Sequence, residues 1–174
     1  MAINVSARSL FSPDFPTIVQ DRLAHAEVPA DLLTIELTEE SVMAYADVAH
    51  DIFERLRDMN VRLSVDDYGT GYSSLSYLKN LPVDELRIDQ SFITAMTDDP
   101  SDAIIVQSAL DLGGPSIVAE GVENATTLAA LKTLGVDIAQ GVHISGPMPE
   151  KILQDWIADR LASHAVVDGG GQDV

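Results

Sequence analysis

Two adjacent carboxylates, Asp66 and Asp67, close an apolar run in the string LSVDDYGTGYSSLSYL. At the end of a buried strand such a pair repels itself and loses hydration, so both stay ionised only where a cation or hydrogen-bond donors face them. A divalent ion does this well, and hard oxygen ligands suit Mg²⁺, Mn²⁺ or Ca²⁺ rather than zinc. The chain has no cysteine, and its four histidines, His25, His50, His143 and His164, show no ligand spacing. That removes thiolate nucleophiles, disulfides and zinc ribbons together and leaves carboxylate chemistry. A turn opened by Asp66 or Asp67 and bent by Gly69 and Gly71 is the competing account of the same string.

Further oxygen donors recur at similar places. Glu36 and Glu39 stand three apart in IELTEES, Glu120 and Glu123 three apart in IVAEGVEN, and Asn4 and Gln140 each follow a short apolar run. Each has a structural alternative. Thr38 or Ser41 can cap a helix whose positive end favours Glu39 and Glu40. Gly121 can mark a strand-to-helix corner with Glu123 as a first-turn acid. Their shared position after successive strands argues for a common site.

The elements that must position these residues are legible as periodic segments. Buried strands are expected at Ala2 to Val5, Leu32 to Leu37, Arg62 to Val65, Glu85 to Ile88, Ser116 to Ala119 and Val136 to Ala139. Their continuous apolar character suits strands covered on both faces. Between them lie helical stretches at Asp14 to Ala26, Tyr45 to Met59, Ser101 to Leu112, Ala125 to Leu134 and Glu150 to Ala162. Gly135 stands where a C-cap is wanted and Pro149 where a first turn accepts proline. Alternating strand and helix imply an α/β fold with parallel strands and right-handed crossovers. The length is short for a barrel of eight units. Yet Asn4, Glu36, Asp66, Asp67, Glu120 and Gln140 all fall at strand C-terminal ends, which a barrel gathers on one rim. An incomplete TIM-type (β/α) barrel over 1–162, followed by a disordered tail at 163–174, is the expectation.

Composition agrees with a folded domain. Of 174 residues 46% are hydrophobic and 22% charged, enough apolar surface for a core. With 28 acids against 10 bases the formal charge is −18, and no segment is basic. Polyanions attract proteins through clustered Lys and Arg, so a DNA or RNA polymer or an anionic membrane surface is an improbable partner. An anionic ligand would need a cation as intermediary. No run reaches the ~18 apolar residues of a spanning helix, and the cytoplasm is the expected compartment.

The strings NVSARSL, IELTEES, SVDDYGTGYSSLSYLKNLPVDELRIDQSFI, IVAEGVEN and DIAQG, in this order, resemble the EAL domain of cyclic di-GMP phosphodiesterases over residues 3 to 150. The resemblance implies a modified TIM barrel that opens cyclic di-GMP to linear pGpG with two Mg²⁺ or Mn²⁺ ions. By motif matching, Asn4 and Glu36 would bind the first ion, Asp66 would bridge, and Asp67 with Glu120 would bind the second. Glu123 and Gln140 match water-positioning residues. Glu39 matches the glutamate that holds the DDYGTGYSSL loop, where family members dimerise.

The sequence also departs from the family pattern. The tripeptide that names the family, with its glutamate ligand and first strand, is absent before Asn4, so the barrel is expected to lack a wall. The family lysine is Arg87 here, in LRIDQ. A forked, always-charged guanidinium is a poor substitute for a group that orients one small nucleophile. Arg87 is either a surviving catalytic residue in the lysine's place or a structural partner in an ion pair with Asp89 or Asp67. The stretch before AEGVE is shortened, which is expected to tilt Glu120 away from the site. An open barrel exposes strand edges that association covers, so a homodimer, a partner-completed barrel or a longer parent chain with a sensory or GGDEF-type region is expected. The expected function is a weak or inactive phosphodiesterase domain. The alternative is a degenerate domain that binds cyclic di-GMP or a protein partner without hydrolysis.

Overall fold

The computed structural model describes residues 1–71 and 75–168. Residues 72–74, inside the loop to which dimerisation was assigned, lie outside the described residues, as do 169–174. The chain divides into two compact units, Met1–Ile144 and Ser145–Val174.

The first unit begins with β1 (Ala2–Asn4), α1 (Ala7–Leu10), α2 (Phe15–Ala26), a 3₁₀ turn at Ala30–Leu32 and β2 (Thr34–Thr38). Then follow α3 (Glu39–Ala44), α4 (Ala46–Asp58), β3 (Arg62–Tyr68), α5 (Leu75–Leu78), β4 (Glu85–Ile88), α6 (Gln90–Ala95) and α7 (Pro100–Leu110). It ends with β5 (Ser116–Ala119), α8 (Ala125–Leu134) and β6 (Ile138–Ala139). The second unit holds α9 (Glu150–Asp168), which continues past Ala162, where its end was expected. No helix among the described residues is long and apolar enough to cross a membrane.

All five neighbouring strand pairs are parallel, and their order in the sheet is their order in the chain. β1 and β6 are the two edges, so the sheet is open, as expected of an incomplete barrel. Successive strand residues point to opposite faces, and the register sorts them. Ile35, Leu37, Leu63, Val65, Leu86, Ile88, Ile117 and Ala119 share one face. These side chains belong to the buried core, with Val42, Phe53, Leu56, Ile93, Val106 and Leu131 from the helices. The other face carries Thr34, Glu36, Ser64, Asp66, Glu85, Arg87 and Ser116.

That second face is buried as well, with Thr34, Glu36, Ser64 and Val118 all withdrawn from solvent, so β2, β3 and β5 are covered on both faces as expected, although the second face is largely polar rather than apolar. The cause lies in residues such as Ser64, small and fully buried, which sit within apolar-looking runs yet face the polar side. The ion pair Arg62–Glu85, at 3.0 Å, occupies that same polar face.

Helix starts follow local chemistry. The side chains of Thr38, Asp89, Asp99 and Asn124 accept backbone N–H bonds at the beginnings of α3, α6, α7 and α8, satisfying donors that a first turn leaves unpaired. Gly135 ends α8 in the left-handed conformation, as expected of a C-cap.

Candidate functional site

The C-terminal strand ends bring together residues far apart in sequence. Asn4 pairs with Glu36 in the β1–β2 register. Asp66 lies one pleat beyond Ser64, the register partner of Glu36. Glu120 follows β5, its N–H donating to the Ile88 carbonyl at 3.3 Å, and Gln140 follows β6, its N–H donating to the Ala119 carbonyl at 2.9 Å.

Two glycines permit close backbone approaches at this rim. Gly121 has φ +69°, and a Cβ there would lie 2.5 Å from Gln90 Cβ. A Cβ on Gly141 would lie 2.2 Å from the Val122 carbonyl oxygen, so the backbone after Gln140 can pass the loop after β5 only without a side chain.

At the centre of the rim stands Arg87. Its Nη1 lies 3.2 Å from Glu36 Oε1 and its Nε 3.6 Å from Asp66 Oδ1. Its Nη2 contacts Glu120 Oε1 and donates to Gln140 Oε1 at 3.0 Å. The side chains are mostly withdrawn from solvent, Arg87 being 12% and Glu36 9% exposed. The ion pairs with Asp89 or Asp67 that one of the two accounts of Arg87 held are not those the structure forms. Asp89 instead accepts from the Ser91 N–H at the start of α6. Glu120, expected to tilt away, reaches Arg87.

Three carboxylates share one cation, and the proton affinities reflect that ratio. Burial works against the charge on Arg87, but Glu120, Glu36 and Asp66 outweigh it and raise its pKa above the ordinary guanidinium value. Burial also raises the Glu120 carboxyl; Arg87 opposes the rise while Asp66 and Glu36 add to it.

Asp67 stands apart from this cluster. The β3–β4 register shifts between Val65 and Tyr68, and Asp67 takes a left-handed φ of 57°. Its N–H donates to Asp66 Oδ1 at 2.9 Å, and it makes no ion pair with Arg87 among the described residues. Burial, then the neighbouring charges of Asp66, Asp89 and Glu39, raise its pKa. Glu39, only 2% exposed, accepts the Gly69 N–H through Oε2 at 2.8 Å. Thr38 caps its helix, as one of the two accounts of that string held, and Glu39 also reaches the loop. Glu123 is exposed and precedes the Asn124 cap of α8, so it is not the first-turn acid that the structural alternative made it.

Of the residues assigned by resemblance to two divalent ions, Asn4, Glu36, Asp66 and Glu120 stand at neighbouring strand ends, and Asp67 lies at the β3 irregularity beside them. Glu36, Asp66 and Glu120 converge on a guanidinium, Asp67 is turned into the bulge, and no group of three His, Asp or Glu among the described residues is arranged to hold an ion.

Two residues that the sequence analysis did not single out hold the opposite end of the sheet. Asp84 Oδ2 accepts the Leu63 N–H and Asp137 Oδ2 the Ile117 N–H, both at 2.8 Å. Each immediately precedes a strand and ties it to its neighbour. Both stand in a Val-Asp pair, at 83–84 and 136–137, directly before a strand.

An open parallel α/β sheet with helical crossovers and acidic side chains at its strand C-terminal ends defines an incomplete barrel of the TIM type, a fold whose enzymes keep their chemistry on that rim. Within that class the chain belongs to the EAL domain family, whose sequence pattern matches residues 1–147. It is 40% identical over 161 residues to the bifunctional diguanylate cyclase/cyclic di-GMP phosphodiesterase MucR of Pseudomonas aeruginosa, covering 91% of this chain and 24% of that protein. The structure of the PaMucR phosphodiesterase in complex with c-di-GMP matches at a TM-score of 0.82 with 40% identity, over 87% of this chain and 63% of that one. The EAL domain of Mycobacterium smegmatis DcpA matches at a TM-score of 0.82 with 34% identity, over 91% and 72% respectively. The chain spans about a fifth of the length of the curated relatives it matches.

Proposed function

We propose that this chain is a cyclic di-GMP-recognising EAL domain in which hydrolysis to pGpG is weak or absent. The observation that carries this reading is the Arg87 guanidinium, held among Glu36, Asp66, Glu120 and Gln140 in the position of the family lysine. Cleavage of a phosphodiester needs positive charge aimed at the phosphoryl oxygens as charge builds there. Arg87 has its nitrogens turned to the carboxylates, and three acids to one cation leave the mouth negative. Gln140 and Glu123 remain the candidates to orient water, and Glu39 to hold the loop after β3.

Incubation with cyclic di-GMP and Mn²⁺ followed by chromatography tests the enzyme. Little or no pGpG with saturable binding by calorimetry is the expected result. Rapid turnover would refute the weak-hydrolysis half, and absence of binding would refute recognition.

A second reading, a protein-interaction module, is favoured by the open sheet. Its edge strands leave Ile3 and Ile138 exposed at 38% and 44%. Association with a second copy, or with a further region such as a GGDEF-type domain, would cover those edges. A cytoplasmic setting fits this role. Light scattering across a dilution series tests self-association, and a monomer at every concentration would count against the dimer.

A further inference from the structure

We infer that Arg87 is a built-in cation that takes the place of a divalent ion among Glu36, Asp66 and Glu120, so that this rim is partly charge-compensated from within the chain and excludes the metal. The inference deepens the reading of the rim as the ligand mouth and rests on it for its meaning.

The argument begins with the fork. Nη1 faces Glu36, Nε faces Asp66, and Nη2 faces both Glu120 and Gln140. Every nitrogen of the guanidinium is therefore committed to an oxygen of the rim. Nε is buried and lacks a hydrogen bond, meeting Asp66 at 3.6 Å as a charge alone. The three acids come from β2, β3 and the end of β5, so one side chain on β4 stands between oxygen ligands from the strands on either flank. That is the arrangement of a central ion with its ligands, with a guanidinium as the ion.

A divalent cation seeking the same oxygens would meet a positive charge already within contact distance of each. To bind, it must displace a side chain that is always protonated and is held on β4 by register with β5. Removing the guanidinium should do the reverse. Three carboxylates without a counter-charge repel one another and acquire affinity for a hard cation.

The experiment uses the full chain without nucleotide, so its outcome is independent of cyclic di-GMP binding. Mn²⁺ is titrated into the wild type, Arg87→Met and the double variant Arg87→Met/Glu120→Gln. Free Mn²⁺ is followed by electron paramagnetic resonance and unfolding by circular dichroism, with NaCl at matched ionic strength as control. Arg87→Met is expected to bind Mn²⁺ at least tenfold more tightly than wild type. Its melting temperature should rise with Mn²⁺ while that of the wild type does not, and Glu120→Gln should reduce both gains. If Arg87→Met is unfolded without metal, folding on addition of Mn²⁺ is the same positive result. Wild-type affinity equal to that of Arg87→Met would overturn the inference. So would an Arg87→Met protein that gains neither affinity nor stability from Mn²⁺, whether it is folded or remains unfolded throughout.

Discussion

The carboxylate of Glu39 accepts the backbone N–H of Gly69 at 2.8 Å, joining the first turn of α3 to the turn that follows β3. The acid is almost wholly buried, and its charge is felt nearby: together with burial it raises the pKa of Tyr68, and with burial, Asp66 and Asp89 that of Asp67. A first-turn acid at one strand end thus sets both the position and the charge of a loop at the next.

Replacing Glu39 by Gln keeps the size and an acceptor but removes the charge. The Asp67 carboxyl is expected to titrate closer to its ordinary value, as seen by carbon-detected NMR. Glu39→Ala leaves the Gly69 N–H without its partner and should cost about 1–3 kcal/mol in urea unfolding. An unmoved Asp67 titration in Glu39→Gln would disprove the electrostatic link.

Asp67 itself should oppose stability at neutral pH. Its folded pKa is raised, so the folded state binds the proton more tightly than the unfolded state does, and stability falls as pH rises from the ordinary Asp value through the raised one. Asp67→Asn removes that charge and tolerates the left-handed φ. It is expected to unfold at higher urea than wild type at pH 7, by about 0.5 kcal/mol on the scale of partly exposed charges. The gain should vanish once the pH is below the ordinary Asp range, and persistence of the full gain there would rule out titration as its source.

Arg87→Lys restores the family residue with a compact ammonium on a flexible stem. Turnover of cyclic di-GMP with Mn²⁺ should rise by up to about a hundredfold, the scale of one ångström of misplacement. Chromatographic detection of pGpG is the measurement. A rate no higher than wild type would place the limiting defect elsewhere on the rim.

At Gly141 the prediction is steric. A methyl group there overlaps the Val122 carbonyl oxygen, so Gly141→Ala should lose about 1–3 kcal/mol and loosen β6, carrying Gln140 with it. Gly146→Ala, with nothing within 4 Å of the added carbon, is the control and should change stability by less than about 0.5 kcal/mol. Chemical denaturation of the two variants separates overlap from a general intolerance of added side chains.

Six strands, their parallel order and the rim donors were readable because they are written in short-range patterns: apolar runs, capping residues such as Thr38 and Asn124, and Gly135 where α8 ends. Membership of the EAL family was readable in the DDYGTGYSSL and AEGVE blocks for the same reason, since each is a contiguous string. Less legible was which face each strand residue would take, because Ser64 lies inside an apolar-looking run. Asp84 and Asp137 were missed because each acts on an N–H in a neighbouring strand and does nothing visible in its own.

The sequence by itself determined the kinds of residue at the mouth, their order and the strand end each one occupies. Tertiary structure alone decided the charge pairing. Arg87 has Asp89 two residues away, yet it binds Glu120 and Gln140, 33 and 53 residues distant. Parallel register sets side chains from separate strands on one face, whereas Asp89 accepts from Ser91 to cap α6 and Asp67 turns aside in the bulge. Separation along the chain says little about distance across a sheet, and a guanidinium goes to the oxygens that register places in its reach.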